Sequence, residues 1–200
     1  MSGEPLRSFL AVTLPPPVGD AAQVVLEDAR KVLGDRVRWT PAGNLHLTLK
    51  FLGDVPPDAL PRLLARAQAK LAGVAPFEAA LGGVGAFPSA REARVLWLGV
   101  TRGVRELAKL ARKLDAAASA VGVPRDRRPY RAHLTLCRLR EPGRVEIERL
   151  KAPEEVPFRV EEVILYESRL SPGGARHIPL AHLPLVADAE DRAMDFAPEI

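Results

Sequence analysis

A single cysteine, Cys137, excludes an internal disulfide and any cysteine-based zinc site. Aromatic residues are scarce at 5%, and only four histidines occur in 200 residues. No apolar run is long and uniform enough to span a bilayer, so no membrane partner is expected. The N-terminal stretch MSGEPLRSFLAVTLPPP lacks the charged start, long apolar centre and small-residue cleavage site of a signal peptide. These absences predict a soluble, cytoplasmic protein. There is no GxGxxG after a strand and no GxxxxGK[ST], which removes the basis for an ATP- or dinucleotide-dependent activity. Histidines and carboxylates nowhere cluster at metal-ligand spacing, so neither a metal nor any other cofactor is expected.

What is present is charge, unevenly placed. The formal net charge is +4, but the stretch Val186 to Ile200 carries five acids (Asp188, Glu190, Asp191, Asp195, Glu199) against one base, Arg192. The remaining 185 residues hold 28 bases and 20 acids, a net charge of +8. Most of the bases are arginine, whose planar fork suits bidentate contact with phosphate. An anionic partner follows, nucleic acid first among them, although a GC-rich genome produces the same bulk composition. Residues 1–185 are expected to form one bilobal domain, and 186–200 an acidic, flexible tail.

Periodicity sets the elements. Leu6 to Leu14 reads as a strand ended by Pro15-Pro16-Pro17. Val18 to Gly34 reads as an amphipathic helix through Val18, Ala21, Ala22, Val25, Ala29, Val32 and Leu33. A short strand over Val37 to Trp39 precedes the Pro41-Ala42-Gly43 turn and a strand over Leu45 to Leu52, closed by Gly53-Asp54. A second helix runs from Pro57 or Asp58 to Leu71, with Pro61 tolerated only in its first turn. Phe77 to Val84 and Arg94 to Val100 pair as strands around a loop containing Gly85 to Ser89. A third helix fits Val104 to Val121, stopped by Gly122. Strands follow at Ala132 to Leu139, Phe158 to Tyr166 and His177 to Leu185. The order predicts an α+β fold: a bilobal, pseudo-twofold arrangement of mainly antiparallel sheets with outer helices.

The informative repeat is His46-Leu47-Thr48-Leu49, which recurs letter for letter at His133-Leu134-Thr135-Leu136. Residues two apart in a strand share a face, so each copy offers an imidazole beside a hydroxyl, anchored by leucines on the other face. With the strands related by a twofold axis, both histidines and both threonines converge in one central cleft. One imidazole can then accept a proton while its partner donates one, near neutral pH. A phosphodiester suits that pair. One histidine deprotonates water, the other protonates the leaving ribose oxygen, and the threonine hydroxyls bind the non-bridging oxygens.

The paired His-x-Thr motifs resemble those of the 2H phosphoesterase superfamily. The closer resemblance is to its RNA 2′,3′-cyclic phosphodiesterase branch, also called 2′-5′ RNA ligase. It extends through Arg7-Ser8-Phe9-Leu10-Ala11, WTPAGNLHLTLKFLG from Trp39 to Gly53, Phe87-Pro88 and Arg94 to Val100. The resemblance implies metal-free opening of terminal 2′,3′-cyclic phosphates to 2′-phosphates, with His46 as donor and His133 as acceptor. It implies RNA ends as partner, tRNA fragments included, and nothing in the sequence demands more than a monomer. It also casts Phe51 as an aromatic contact to base or ribose and Arg138 as a phosphate ligand. Strict alternation opposes both: five residues after each histidine is the wrong face, and parity alone turns Lys50 and Cys137 to the cleft. A bulge after Leu49 and after Leu136 would reconcile the two.

Several candidates surround this core. Arg125, Arg127, Arg128 and Arg131 precede the second motif and Arg140 follows Arg138, while Arg36 and Arg38 precede the first; together they suit an RNA backbone. Cys137 is expected to pack rather than react. His177 and His182, five apart around Pro179, form no matching motif and are expected to be surface or structural residues. Two alternatives to hydrolysis remain: 2′-5′ ligation by the same site, and a module that binds RNA ends without turnover.

Overall fold

The computed structural model describes residues 3–171 and 174–187, so the acidic tail from Asp188 onward lies outside the described residues. Nine strands, three α-helices and four single-turn 3-10 helices occur among the described residues. The strands are β1 (Leu6–Thr13), β2 (Val37–Trp39), β3 (His46–Val55), β4 (Phe77–Phe87), β5 (Ala93–Arg102), β6 (His133–Gly143), β7 (Val156–Val160), β8 (Glu162–Ser171) and β9 (Gly174–Pro184). The helices are α1 (Pro16–Leu33), α2 (Leu60–Leu71) and α3 (Val104–Ser119).

All strands join one antiparallel sheet in the order β7-β4-β5-β6-β3-β1-β8-β9, with β2 beside β6. The two halves mirror each other. Each His-x-Thr strand is followed outward by a long partner, β5 or β1, then by β4 or β8, then by an edge strand, β7 or β9. The halves meet at a single ladder pair, Leu47 opposite Leu134, which marks the pseudo-twofold axis. The expected bilobal α+β architecture is therefore present, as one continuous sheet. That sheet is strongly curled. Val160 ends β7 at one edge, and Glu162 starts β8 near the other, with only Glu161 between them. One residue spans no more than a few ångströms, so the two ends must come together.

The helices cover the convex side. Val18, Ala22, Val25, Leu26, Ala29 and Leu33 form the buried stripe of α1, and Leu107, Leu110, Ala111, Leu114, Ala117 and Ala118 that of α3. Helix α1 packs against β7, whereas α3 packs against β3, and α2 against α3 and β9. No helix among the described residues is long and apolar enough to cross a membrane.

Several boundaries differ from the sequence expectation, and four of the differences have a direct physical reason. Helix α1 starts at Pro16, because proline at the first positions lacks only an N–H that has no helical partner there. Strand β3 continues through Gly53, whose φ of 73° fits a bulge rather than a terminating turn. The β4–β5 hairpin includes Gly85 to Phe87, paired with Trp97 to Val95; Gly85 reads as a turn residue but serves a packing need. A Cβ there would lie 2.2 Å from the Trp97 ring. The expected single strand Phe158 to Tyr166 is two, because the chain passes at Glu161 from one edge of the curled sheet to the other.

Candidate active site

Each histidine is held the same way. His46 Nδ1 lies 2.7 Å from the Asn44 carbonyl oxygen, and His133 Nδ1 lies 2.7 Å from the Arg131 carbonyl oxygen. A carbonyl oxygen only accepts, so Nδ1 carries the proton in both rings and Nε2 is left for chemistry. His46 Nε2 is 2.9 Å from Thr48 Oγ1, whose hydroxyl donates to it while the ring is neutral. The Asn44 carbonyl is itself steadied, because Asn44 Nδ2 donates to the Ala175 carbonyl at 2.6 Å. One step along the antiparallel register from Leu47–Leu134 sets His46 across from Thr135 and Thr48 across from His133. The two imidazole–hydroxyl pairs therefore converge on the concave face, as the repeat predicts.

Whether Phe51 and Arg138 share that face is decided by two bulges. On β3, Thr48 faces Ala11 and Lys50 faces Leu10, leaving Leu49 unmatched. On β6, Thr135 faces Trp97 and Cys137 faces Leu96, leaving Leu136 unmatched. The extra residue reverses parity in both strands at the same step from the axis. Leu49 and Lys50, and likewise Leu136 and Cys137, are consecutive buried residues. Phe51, 64% exposed, and Arg138 return to the histidine side. Parity alone is thus overruled for Lys50 and Cys137, and burial pushes the Cys137 thiol up to about 12, an unreactive value.

Lys50 instead points behind the sheet. At 1% side-chain exposure its Nζ contacts Asp115 Oδ1 at 2.8 Å and Asp126 Oδ1 at 2.9 Å, and donates to the Pro124 carbonyl at 2.9 Å. Burial alone would raise the Asp115 carboxyl, yet Lys50, the Asp126 amide and Arg125 together hold it below its ordinary value. These contacts tie the strand of the first histidine to α3 and to the loop leading to the second. The twofold counterpart of that loop, β2, needs no such tie, because it pairs through its backbone with β6.

The surroundings of the two histidines differ. His46 stacks on Phe9 with centroids 4.7 Å apart, and Phe9 stacks on Tyr166 at 5.3 Å. His177 meets both His46 and Phe9 edge-on, at 5.0 and 4.8 Å. This corrects the expectation that His177 is a surface or merely structural residue. It sits three strands away from His46 in the sheet order, and curling of the sheet closes that gap. No sequence spacing carries that signal; the only hint is a histidine in a strand-like segment. His182, on the same strand, contacts Glu162 at 3.0 Å and stays remote, as expected. On the other side, His133 meets Phe87 edge-on at 4.9 Å and lies 6.3 Å from Trp97, while the Arg131 guanidinium sits over Phe87.

Burial is the main cause holding His46 down to about 4; the Asn44 carbonyl opposes it, and the charges of His177 and His133 add to it. Burial also lowers His133, opposed by the Arg131 carbonyl and assisted by the positive charges of Arg138 and Arg131. No group of three potential metal-ligating side chains occurs among the described residues. Two hollows lie elsewhere, one of about 360 Å³ lined by Gln68, Leu71, Leu183 and Val186 and one of about 280 Å³ lined by Ala108, Asp115, Asp126 and Tyr130.

A curled antiparallel sheet with one His-x-Thr strand in each half defines a 2H phosphoesterase. The chain belongs to the 2′-5′ RNA ligase superfamily, whose family model matches residues 16–171. It is 36% identical over 174 residues to an RNA 2′,3′-cyclic phosphodiesterase of Methanothermobacter thermautotrophicus, covering 84% of this chain and 93% of that one. It is 32% identical over 181 residues to the enzyme of the same name from Escherichia coli K12, covering 88% and 95%. Among solved structures, TT0787 of Thermus thermophilus superposes with a TM-score of 0.79 at 30% identity, over 91% of this chain and 99% of that one. Escherichia coli LigT complexed with 3′-AMP does so at 0.75 and 30% identity, over the same shares.

Proposed function

We propose that this protein is a phosphodiesterase that opens RNA terminal 2′,3′-cyclic phosphates to 2′-phosphates by paired-histidine acid-base catalysis. The observation that carries the reading is the matched fixing of two imidazoles, each with Nδ1–H bound to the carbonyl two residues earlier and Nε2 left for chemistry beside a threonine strand position. The names of the relatives support the substrate class.

In this scheme His133 is the base. Arg131 and Arg138 favour its neutral form, which is the form able to take a proton from water. His46 is the acid and protonates the departing O3′. With its affinity for protons held down to about 4 in the free protein, His46 needs the negative charge of the bound phosphate to load it. Thr48 and Thr135 bind the non-bridging oxygens, Arg138 the phosphate charge, and exposed Phe51 stacks on the base or ribose at the His46 side. The chemistry needs no metal. The working unit is the bilobal domain of residues 1–185, a cytoplasmic monomer acting on RNA ends such as tRNA fragments.

The decisive assay offers a nucleoside 2′,3′-cyclic phosphate to the full chain in the presence of EDTA. Turnover to the 2′-phosphate is expected. RNA binding without turnover would make the protein a binding module, and loss of turnover on chelation would refute the metal-free scheme.

A further inference from the structure

The convex side carries a surplus of positive charge that the proposed reaction does not use. Arg62, Arg66 and Lys70 recur every four residues along α2, and Arg105, Lys109 and Arg112 follow the outer side of α3. Helix α2 has no acidic residue, and α3 has two, Glu106 and Asp115, of which Asp115 is engaged by Lys50. The two helices pack against each other, and Lys113 Nζ donates to the Lys70 carbonyl at 2.8 Å, so the basic rows stand on neighbouring helices. All six bases are exposed, and none forms an ion pair among the described residues. Like charges four apart on a helix repel, and an anion laid along them reverses the sign.

Which anion follows from the route of the chain. Ala187, the last described residue, pairs in parallel with Gly73, two residues past the end of α2. The hollow of about 360 Å³ between Leu71, Leu183 and Val186 opens at the same junction. Residue 188 is therefore held covalently beside one end of the ridge. Residues 188–200 carry five acids, Asp188, Glu190, Asp191, Asp195 and Glu199, against one base, Arg192. Thirteen residues reach up to about 43 Å at roughly 3.3 Å each, whereas the twelve residues of α2 span about 18 Å. A tethered segment also acts at a roughly millimolar effective concentration, far above that of a free polyanion. RNA held on this ridge would lie behind the sheet from both histidines.

We propose that the acidic segment 188–200 docks on the α2–α3 ridge of its own chain and masks it from RNA. Docking sets a net of four negative charges, five acids less one base, against the six exposed bases. The arginines beside the second histidine, Arg131 and Arg138, then remain as attractive surface on the side of the sheet where the reaction takes place. Masking thus directs the polymer to the face that receives its end. This consequence rests on the function proposed above; the docking itself does not.

Two experiments on the full chain test the docking. A carbodiimide, which joins a carboxylate to an amine only at direct contact, is applied to dilute protein and the linked peptides are mapped. Carboxylates of the segment should link to Lys70, Lys109 or Lys113 within one chain, and about 0.5 M salt should suppress the links. No links, or equal linking to Lys31 and Lys151 outside the ridge, overturns the docking. Links between chains carrying two isotopic labels place the segment on a second copy and also overturn it. The second experiment neutralises the segment without shortening it, as Asp188→Asn/Glu190→Gln/Asp191→Asn/Asp195→Asn/Glu199→Gln. Binding of a single-stranded RNA with a free 3′-hydroxyl is then measured against salt concentration. Releasing the three α2 bases to phosphate adds about 0.7 each to the slope of log affinity on log salt, so the slope should steepen by about 2. Adding Arg62→Gln/Arg66→Gln/Lys70→Gln should remove that gain. An unchanged slope, or a gain that survives loss of the three bases, overturns the masking. Hydrolysis of a nucleoside 2′,3′-cyclic phosphate, too small to reach the convex side, should match wild type and reports that each variant is folded. Its absence in the wild type refutes the proposed phosphodiesterase, while the links still decide the docking.

Discussion

Replacing Lys50 by methionine tests how the two halves of the site are kept in register. The ammonium is 1% exposed and has three partners at 2.8 to 2.9 Å, two carboxylates and one carbonyl. Removing one partner of a buried charge pair costs about 3–5 kcal/mol. Asp126 is 57% exposed and rehydrates readily, while Asp115, at 15%, keeps the Asp126 amide at 3.1 Å and Arg125 at 3.7 Å. The lower end therefore applies, about 3 kcal/mol. At roughly 2–4 °C per kcal/mol for a chain of this size, the melting temperature should drop by about 6–12 °C. Trypsin supplies a local readout, since the released loop carries Arg125, Arg127, Arg128 and Arg131. Cleavage there should accelerate more than cleavage elsewhere. The double variant Lys50→Met/Asp115→Asn should recover part of the stability, because it leaves no buried carboxylate unpaired. A melting point within about 2 °C of wild type, with unaltered loop cleavage, would show that the contacts contribute nothing.

His46→Ala and His133→Ala should each lower kcat by roughly 10²–10⁴-fold with an unchanged circular dichroism spectrum. A residual activity above a tenth of wild type in either would refute the paired scheme. Because His46 is held down to about 4 and His133 is also lowered, the protonated donor disappears as pH rises. The kcat/KM profile should therefore peak below pH 6.5, with kcat peaking at higher pH once phosphate is bound; coincident profiles centred near 7 would contradict this. His177→Phe removes a positive charge that opposes protonation of His46, so the donor limb of kcat/KM should move to higher pH, whereas a purely structural role would leave it in place. Gly85→Ala should destabilise the chain by about 1–3 kcal/mol in thermal or urea unfolding, because its Cβ would meet the Trp97 ring at 2.2 Å.

The letter-for-letter repeat made the two catalytic candidates legible in the sequence, because period-two alternation translates directly into a shared face at His46 and Thr48, and again at His133 and Thr135. Helices α1 and α3 were legible for the same local reason, through their buried stripes. Alternation failed at Leu49 and Leu136. A bulge is specified by the partner strand as much as by its own residues, and no local pattern announces it. The division of Phe158 to Tyr166 at Glu161 and the approach of His177 to His46 both depend on the curl of the whole sheet. Curl is a property of eight strands in sequence around an axis, which no window of residues contains.

The strand order also sets a timetable for synthesis. The half that bears His133 is drawn from one stretch, β4 to β7, residues 77–160, completed by strands that neighbour one another along the chain. The half that bears His46 is assembled from β1 and β3 at the start of the chain and β8 and β9 at its end. At about 5–20 residues per second, the ribosome needs roughly 5–20 s to travel from Val55 to Glu162. Throughout that interval β1 offers an unpaired edge through Ser8, Phe9, Leu10 and Ala11, the positions that β8 will later claim. The half that bears His133 can fold while the other waits, so the surroundings of His46 are complete only when β8 and β9 arrive.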